Sequence, residues 1–419
     1  MKLPDPKKIL LIILMLAAIT RLYGLDYPNK FYFDEVYHAF TAKEYLKGSR
    51  DAWDPWAKPP AGVAYEWTHP PLAKEIMTAS MFLFRSQDGW AWRLPGAMLG
   101  ILSVFLVYQL GLTLLKNQYA ALIASFAFSL DGLNFVQSRI GMNDIYFVTF
   151  MLLSLLLFIK KNYFWSASFT GLALASKWTA IYLLGMYSIV LLFHLIKHRD
   201  QFLKDKTLLR QIILPPALLF IVIPAGVYLA SYLPYFLLGF SFDQFIQLQQ
   251  QMWWYHTGLK ATHGYSSVWW SWPLNLYPVW YFVDYLKGSM ANIFSSGNSV
   301  LFWTGTLSLL LTMRDGFREK GEGLKFILLG FFIFWLPWAL SPRIMFLYHF
   351  SPSIPFLTLS LGHQLRVGLN DRKSYQLVIT LLILIALNFA FIYPFLAGIP
   401  LPNNMVSLFF LTNLSKNPF

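Results

Sequence analysis

Long apolar segments recur along the chain between residues 9 and 396, and this pattern constrains the fold more than any other feature. Most of them are about 15–25 residues long, close to the ~20 residues that a helix needs to cross a bilayer. The membrane core offers backbone groups no water, so only α-helices and closed barrels can span it. Only 13% of the 419 residues are charged, about half the share found in soluble domains. The sequence therefore predicts an all-α polytopic membrane protein.

We predict about eleven transmembrane helices in a single domain that covers residues 1–419. The first span is expected to remain uncleaved, because no small-x-small cleavage site precedes Arg21 and further spans follow. The spans are predicted at residues 9–24, 94–115, 118–136, 144–159, 164–176, 178–196, 211–238, 299–313, 325–341, 344–362 and 376–396. Two long segments, 25–93 and 239–298, interrupt this pattern and are predicted to be loops.

Basic residues are concentrated in alternate connections between the predicted spans. With the N-terminus inside, the cytoplasmic segments hold 18 of the 33 Lys and Arg residues but only 7 of the 20 acidic residues. This asymmetry follows the positive-inside rule, which places 25–93, 137–143 and 239–298 on the extracytoplasmic side. The net charge of +13 is then explained by topology and lipid contact, and no nucleic-acid partner is expected. The chain has no cysteine, which excludes disulfides and thiolate metal sites.

The two outer loops have different sequence characters. The stretch "DEVYHAFTAKEYLKG" in 25–93 places Val36, Tyr37 and Phe40 toward one face of a predicted amphipathic helix on the membrane, with Gly48 as its C-terminal stop. Loop 239–298 contains "QMWWYHTG" and "SSVWWSWPLNLYPVWYF". Such aromatic residues are typical of a membrane interface, and they also stack on sugar rings.

Ionisable residues in or near the outer ends of the spans are candidates for function, because such groups are costly close to lipid. The candidates are Arg21, Asp34, Glu35, His69, Lys74, Arg93, Arg139, Asp144, Lys177, Arg343 and His349. Each also has a structural explanation. Asp34 could cap the surface helix, Arg21 and Arg93 could extend to lipid headgroups, and His69 could be a loop residue before the Pro-Pro helix start. Their concentration on one side of the membrane favours a functional role.

These residue types point to a group transfer. A carboxylate can take a proton from a hydroxyl acceptor, and Arg, Lys and His can stabilise a phosphate as it leaves. This chemistry needs no nucleotide, and no Gly-rich phosphate-binding loop is evident in the sequence. The combination fits transfer from a lipid-linked phosphate to a hydroxyl group. A divalent cation on Asp34, His38 and His69 is an alternative use of this loop, but an i, i+4 pair is more often helix surface, and no metal is assigned.

Several motifs, in order along nearly the whole chain, resemble those of the protein O-mannosyltransferases, a GT-C glycosyltransferase family. They include "TRLYGLDYPNKFYFDEVYHAFTAKEYLKG" with "THPPLAKE", "LDGLNFVQSRIGMNDIYFVTF", "GLALASKWTAIY", "WSWPLNLYPVWYF" and "RIMFLYHFSPSIPF". The resemblance implies a GT-C fold and an inverting transferase. The implied donor is polyprenyl- or dolichyl-phosphate mannose, and the acceptor is a Ser or Thr hydroxyl of a translocated protein.

The resemblance also implies roles for particular residues. Asp34 corresponds to the catalytic base and Glu35 to its essential neighbour, while His69 is expected to shape the acceptor side. The residues expected near the donor are Arg21, Arg93, Arg139, Asp144, Lys177, Arg343 and His349. The resemblance implies no metal requirement, and a divalent cation stays possible. Its implied partners are the lipid-linked sugar, a secreted or membrane protein acceptor, and the protein-export machinery or a homologous subunit.

One departure from the family leaves alternatives open. Eukaryotic members carry a β-trefoil MIR domain where this chain has only loop 239–298, which indicates a compact prokaryotic-type member. Related GT-C enzymes transfer other sugars, such as aminoarabinose, to lipids, and fold alone does not separate these activities. A polyisoprenoid-lipid transporter is the alternative from another class. It predicts internal repeats and charges spread through the membrane depth, and neither is evident in the sequence.

Overall fold

The computed structural model describes residues 4–204, 207, 214–318, 321–369 and 372–410, and it is mainly helical. The helices of the first half are α1 Pro6–Leu22, α2 His38–Leu46, α3 Leu72–Phe84, α4 Gly89–Leu115, α5 Gln118–Ser129, α6 Gly132–Gln137, α7 Asp144–Ile159, α8 Tyr163–Ser176, α9 Ile181–Lys197 and α10 Arg199–Lys204. Those of the second half are α11 Leu214–Ala230, α12 Leu233–Leu237, α13 Phe242–Thr257, α14 Ser299–Arg318, α15 Glu322–Trp335, α16 Ile354–Gly368, α17 Arg372–Ala397 and α18 Asn403–Phe410.

Four helical segments of the described chain are long and apolar enough to cross a membrane: Gly89–Leu115, Trp178–Lys197, Glu322–Leu340 and Lys373–Ala397. Three shorter apolar helices are α5, α7 and α11. Helix is found within each of the eleven predicted spans, although the start of the span predicted at 211–238 lies outside the described residues. The multi-pass helical architecture is therefore confirmed, and the count of eleven stays a prediction.

The segment predicted as a single span at 118–136 is divided into α5 and α6. Asp131 begins the second helix, because its carboxylate accepts hydrogen bonds from the backbone N–H groups of Leu133 and Asn134. A carboxylate at this position satisfies backbone donors that have no partner within the helix. The polar interruption was visible in the sequence, but the surrounding apolar residues concealed the break.

A small antiparallel sheet corrects the prediction of an all-α fold. Strand β1 (Val279–Leu286) pairs with β2 (Ser289–Ser295) across a turn in which Gly288 has φ +76°, and β2 pairs with the short β3 (Leu401–Pro402). The hairpin lies within segment 239–298, which we predicted to be an aromatic-rich loop. Its β-branched and aromatic residues separated by a Lys-Gly turn are typical of a hairpin.

The first outer loop contains the predicted surface helix in a modified form. A 3₁₀ helix at Phe33–Val36 precedes α2, which packs against α3. The helix ends before Gly48, which has φ +71° as expected of a residue that terminates a helix. Tyr37 is 43% exposed while Phe40 is buried, so these two residues do not share the buried face that the sequence pattern predicted.

One large hydrophobic cluster runs from Ile13 to Ala397 and joins the two halves of the chain. Within it, α7 packs against α4 and α8. Asp144 starts α7 and Lys177 follows the last residue of α8, so both are held at one end of this helix pair. This arrangement brings polar residues together with the first outer loop.

Candidate active site

Asp34 lies in the 3₁₀ helix at the start of the first outer loop. The preceding residue, Phe33, has φ +47°, and its ring stacks on Tyr281 at 3.8 Å, which fixes the segment against the hairpin. Among the described residues, none donates a hydrogen bond to the Asp34 carboxylate. Burial, and then the carboxylates of Asp144 and Glu66, raise the pKa of Asp34 to about 7, against the opposing effect of Lys177. Asp34 is thus an unpaired carboxyl group that gains and loses its proton near neutral pH.

Glu35 occupies a different environment, although it is the next residue. Its side chain is fully buried, and the Arg93 guanidinium binds it through Nε and Nη2, each 2.7 Å from a carboxylate oxygen. Trp92 Nε1 donates to Glu35 Oε1 at 3.0 Å, and the Gly141 backbone N–H donates to the same oxygen at 2.8 Å. Both oxygens are therefore occupied by donors from α4 and from the segment before α7.

Three arginines that were predicted near the donor lie in the protein interior. Arg93 also donates to the carbonyl groups of Leu25 and Lys30. Arg21 is fully buried and lies 5.4 Å from the Phe135 ring centroid. Arg139 donates to four carbonyl oxygens at the C-terminal end of α1, those of Thr20, Arg21, Tyr23 and Gly24. These contacts tie the end of α1 and the start of the first outer loop to the helices behind them.

Lys177 and Asp144 form a buried ion pair, with Lys177 Nζ 2.7 Å from Asp144 Oδ1. The ammonium also faces the Tyr348 ring, whose centroid is 5.9 Å away. The second oxygen of Asp144 is buried and has no hydrogen-bond partner in the part of the chain that is described. Both residues influence the proton affinity of Asp34, so the structure brings this part of the predicted site together.

Arg343 and His349 come from the segment before α16. Arg343 has no carboxylate within salt-bridge distance among the described residues, and its guanidinium carbon lies 5.1 Å from the Tyr255 ring centroid. His349 is buried, stacked on Tyr348 at 4.7 Å and edge-on to Trp338 at 4.3 Å. Its electrostatic neighbours include Lys177, Arg343 and His69. Cationic and neutral nitrogen groups from distant parts of the chain are therefore neighbours of His349, and one of them, Lys177, also acts on Asp34.

Glu66, which the sequence analysis did not single out, organises the "THPPLAKE" segment. Its carboxylate is buried and lies 2.7 Å from Lys74 Nζ and 3.1 Å from His69 Nδ1. Burial alone would raise the pKa of Glu66, but Lys74, His69 and His38 together outweigh it and hold that pKa well below its usual range. Burial lowers the pKa of His69 well below its usual range, so the ring is neutral. The sequence feature that could have identified Glu66 is an acidic residue three positions before His69 in a mainly apolar segment.

The same cluster contains the residues that could hold a metal ion. Ligand atoms of His38, Glu66 and His69 all lie within 4.8 Å of one another, and His38 Nδ1 is buried without a hydrogen-bond partner in the described chain. Asp34, the third ligand considered from the sequence, is replaced by Glu66 in this set. Lys74 already places a positive charge 2.7 Å from Glu66, so a divalent cation would meet electrostatic repulsion. The cluster fits a buried ion-pair network better than a metal centre.

The chain matches the family described as dolichyl-phosphate-mannose-protein mannosyltransferase over residues 11–240. It belongs to this family. Residues 241–412 match the C-terminal four-transmembrane region of protein O-mannosyltransferases. The two matches together account for the outer loop that carries Asp34 and for the segment that carries Arg343, and they confirm the resemblance seen in the motifs.

Relatives and solved structures extend the family assignment. The polyprenol-phosphate-mannose–protein mannosyltransferase of Mycolicibacterium smegmatis is 25% identical over 469 aligned positions, covering 93% of this chain and 89% of the relative. The Pmt1–Pmt2 protein O-mannosyltransferase complex of Saccharomyces cerevisiae, bound to its sugar donor, superposes with a TM-score of 0.82 at 15% identity, covering 97% of this chain and 92% of the matched chain. ArnT from Cupriavidus metallidurans, bound to undecaprenyl phosphate, superposes with a TM-score of 0.58 at 15% identity. The match covers 85% of this chain and 60% of the ArnT chain. The fold is therefore that of the GT-C glycosyltransferases.

Proposed function

We propose that this mannosyltransferase-family chain moves mannose from a polyprenyl- or dolichyl-phosphate donor to Ser or Thr hydroxyl groups of proteins. Family membership supports a glycosyltransferase activity, and near-full-length relatives are named polyprenol-phosphate-mannose–protein mannosyltransferases. The observation that carries the proposal at the level of the site is the unpaired Asp34 carboxylate, which lies within electrostatic reach of Lys177. The arrangement offers a proton acceptor beside groups that can bind a phosphate.

The reaction follows from these charges. Asp34 accepts the proton of the Ser or Thr hydroxyl group. At the same time the hydroxyl oxygen forms a bond to the anomeric carbon of mannose, on the face opposite the phosphate. The bond between that carbon and the phosphate oxygen breaks, and polyprenyl phosphate leaves with the bonding electrons. Lys177 and Arg343 stabilise the negative charge that develops on the phosphate, and the anomeric configuration inverts. A pKa near 7 suits a base that must accept a proton at neutral pH and release it to water.

We assign Glu35 to positioning, which refines its expected role as a catalytic partner of Asp34. Its two oxygens are engaged by Arg93, Trp92 and Gly141, so it has no free oxygen for a substrate proton. Arg139 is assigned to holding the end of α1, and Arg21, which donates to the Ser129 carbonyl, is assigned to joining α1 to the end of α5. Asp144 orients Lys177. His349 and His69 border the phosphate-binding and acceptor sides respectively.

We also propose an extracytoplasmic active site, a cytoplasmic N-terminus and secreted or membrane proteins as acceptors, within a single domain that spans the chain. The distribution of Lys and Arg supports this orientation. We expect the chain to associate with a homologous subunit or with the protein-export machinery. The structurally similar Pmt1 and Pmt2 proteins form a complex with each other. Transfer of another sugar to a lipid, and lipid transport, are not favoured by the names of the full-length relatives.

The decisive experiment compares the native protein with Asp34→Asn in transfer of mannose from polyprenyl-phosphate mannose to a Ser/Thr-containing peptide. Loss of the base should lower the rate by about 10²–10⁴-fold with little change in donor affinity. Unchanged transfer by the variant would remove Asp34 as the base. Peptide left unmodified by the native protein, with the donor still bound, would reject the proposed acceptor or sugar.

Stability provides the control for this substitution. The raised pKa means that folding favours the protonated form, so the stability contributed by Asp34 is present at low pH and is lost as pH rises from about 3.8 to about 7. At pH 7 and above the ionised group destabilises the fold. Each pKa unit is worth about 1.4 kcal/mol, and solvent screening reduces the total at this half-buried group to about 1–2 kcal/mol. Asp34→Asn should therefore unfold at the native temperature or slightly higher.

A further inference from the structure

His256 lies near the end of α13 in the aromatic stretch "QMWWYHTG", and both nitrogens of its ring contact groups outside that helix. His256 Nε2 is 2.8 Å from the Thr68 carbonyl oxygen, and Nδ1 is 2.5 Å from Arg343 Nη1. A carbonyl oxygen only accepts hydrogen bonds and a guanidinium only donates them. Nε2 must therefore carry the proton and Nδ1 must be the acceptor, which defines a single neutral tautomer.

The environment of His256 keeps the ring in this state. Burial, and then the positive charge of Arg343, lower the pKa of His256 to about 4. At neutral pH the ring is uncharged, so it can accept a hydrogen bond from the guanidinium without repelling it. Trp178 packs beside the ring with a centroid distance of 5.9 Å, and the His69 ring is edge-on at 5.2 Å. These contacts limit rotation of the imidazole.

Arg343 has the properties of a cation that is reserved for a ligand. It forms no salt bridge with any carboxylate in the described part of the chain, and its Nε is buried without a hydrogen-bond partner there. An arginine side chain loses rotamer entropy when a ligand fixes it. A neutral acceptor that already holds one Nη reduces this cost and leaves the other donors available to an anion.

We propose that His256 is a positioning residue that holds the Arg343 guanidinium ready for the donor phosphate. The inference rests on the proposed function, because it assigns the anion to the lipid-linked phosphate. It also connects three distant segments: Thr68 belongs to the first outer loop, His256 to the second, and Arg343 to the segment before α16. Thr68 is followed directly by His69, so the same contact aligns the acceptor side with the phosphate side.

Two substitutions at one position separate positioning from packing. His256→Asn places an amide oxygen where Nδ1 lies and can still accept from Arg343, whereas His256→Leu fills similar space without an acceptor. We expect His256→Leu to raise the KM for polyprenyl-phosphate mannose about tenfold with a smaller change in kcat, and His256→Asn to stay within about threefold of native. Comparable damage by both substitutions, or an unchanged KM in His256→Leu, would contradict the proposal.

A double-mutant cycle and a binding measurement complete the test. In an Arg343→Gln background, His256→Leu should raise the KM for polyprenyl-phosphate mannose little further, because the hydrogen bond between the two side chains is already absent. Binding of polyprenyl phosphate, without sugar, should weaken about tenfold in His256→Leu and little in His256→Asn. Native protein that binds polyprenyl phosphate but transfers no mannose would reject the proposed function and leave this inference standing. Equal binding by native protein and His256→Leu would reject the inference alone, and thermal unfolding of each variant identifies a folding defect.

Discussion

Asp34 and Glu35 are adjacent carboxylates with opposite surroundings. Glu35 is fully buried and receives a two-point contact from Arg93, whereas no described residue donates a hydrogen bond to Asp34. Hydrogen bonds and an opposite charge stabilise the ionised form of a carboxyl group, while burial without them stabilises the neutral form. The pair is therefore divided into one carboxylate that builds the site and one that can exchange a proton.

The pH dependence of transfer should report the proton affinity of Asp34. Because the base must be ionised, kcat/KM should rise about tenfold per pH unit below pH ~7 and level off above it. The Glu66 carboxylate contributes to the raised pKa of Asp34. Replacing it in Glu66→Gln removes a negative charge and leaves Lys74 unneutralised, so the acidic limb should move to lower pH. The measurement is a pH profile of kcat/KM for both proteins.

A remote carboxylate provides the matched control for this experiment. Glu322 pairs with Lys197 on the surface, and its side chain is 86% exposed. Glu322→Gln should leave the acidic limb where it is in the native protein. A Glu66→Gln profile that coincides with the native one, or that moves to higher pH, would show that the kinetic pKa belongs to another group.

At the level of elements, the end of α1 depends on Arg139. The last carbonyl groups of a helix lack partners within it. The Arg139 guanidinium donates to the last-turn carbonyls of Thr20 and Arg21 and to those of Tyr23 and Gly24 directly after the helix. Arg139→Gln should lower the free energy of unfolding by about 2–4 kcal/mol, because buried carbonyls lose their donors. The resemblance had suggested a place near the donor, which predicts a large rise in donor KM instead. Thermal unfolding and donor KM, measured on the folded fraction, distinguish these two roles.

Arg139→Lys is the matched variant, because it keeps the charge but replaces the planar fork with a single ammonium group. It should recover about half of the lost stability if helix capping is the role. A variant with native stability and a strongly raised donor KM would assign Arg139 to the phosphate.

Helices that coincide with a long apolar run were predictable from the sequence. Elements that depend on a single polar residue or on contacts with other segments were not. The apolar run at 144–159 coincides with α7, whose boundaries are identical to the predicted ones. The break between α5 and α6 was missed because Asp131 is a single polar residue whose effect depends on local backbone hydrogen bonds. The hairpin was missed because aromatic residues suit a strand and a membrane interface equally well.

Some residues of the candidate site could be predicted from their residue type, and others become evident only from their contacts in the structure. Asp34, Lys177 and Arg343 stood out because charged residues are rare in such an apolar chain. Glu66 and His256 did not, since their importance lies in contacts with residues that are distant in sequence. His256, for example, meets Arg343 across 87 positions of the chain. No local pattern encodes such a contact, and it becomes visible only when the outer segments are placed together.

For the whole molecule, the proposed reaction requires that both long outer loops face the side on which acceptor proteins emerge. The natural chain has no cysteine, so single cysteines report topology without any background substitution. Ala61 and Ala261 are exposed in the two outer loops, and Asn162 is exposed between α7 and α8. In intact cells, a membrane-impermeant maleimide should label Ala61→Cys and Ala261→Cys, while Asn162→Cys should react only after permeabilisation. The reverse pattern would place the Asp34 site in the cytoplasm and would exclude secreted proteins as acceptors. Labelling of all three in intact cells would mean that the membrane was not intact, which a cytoplasmic marker protein reveals.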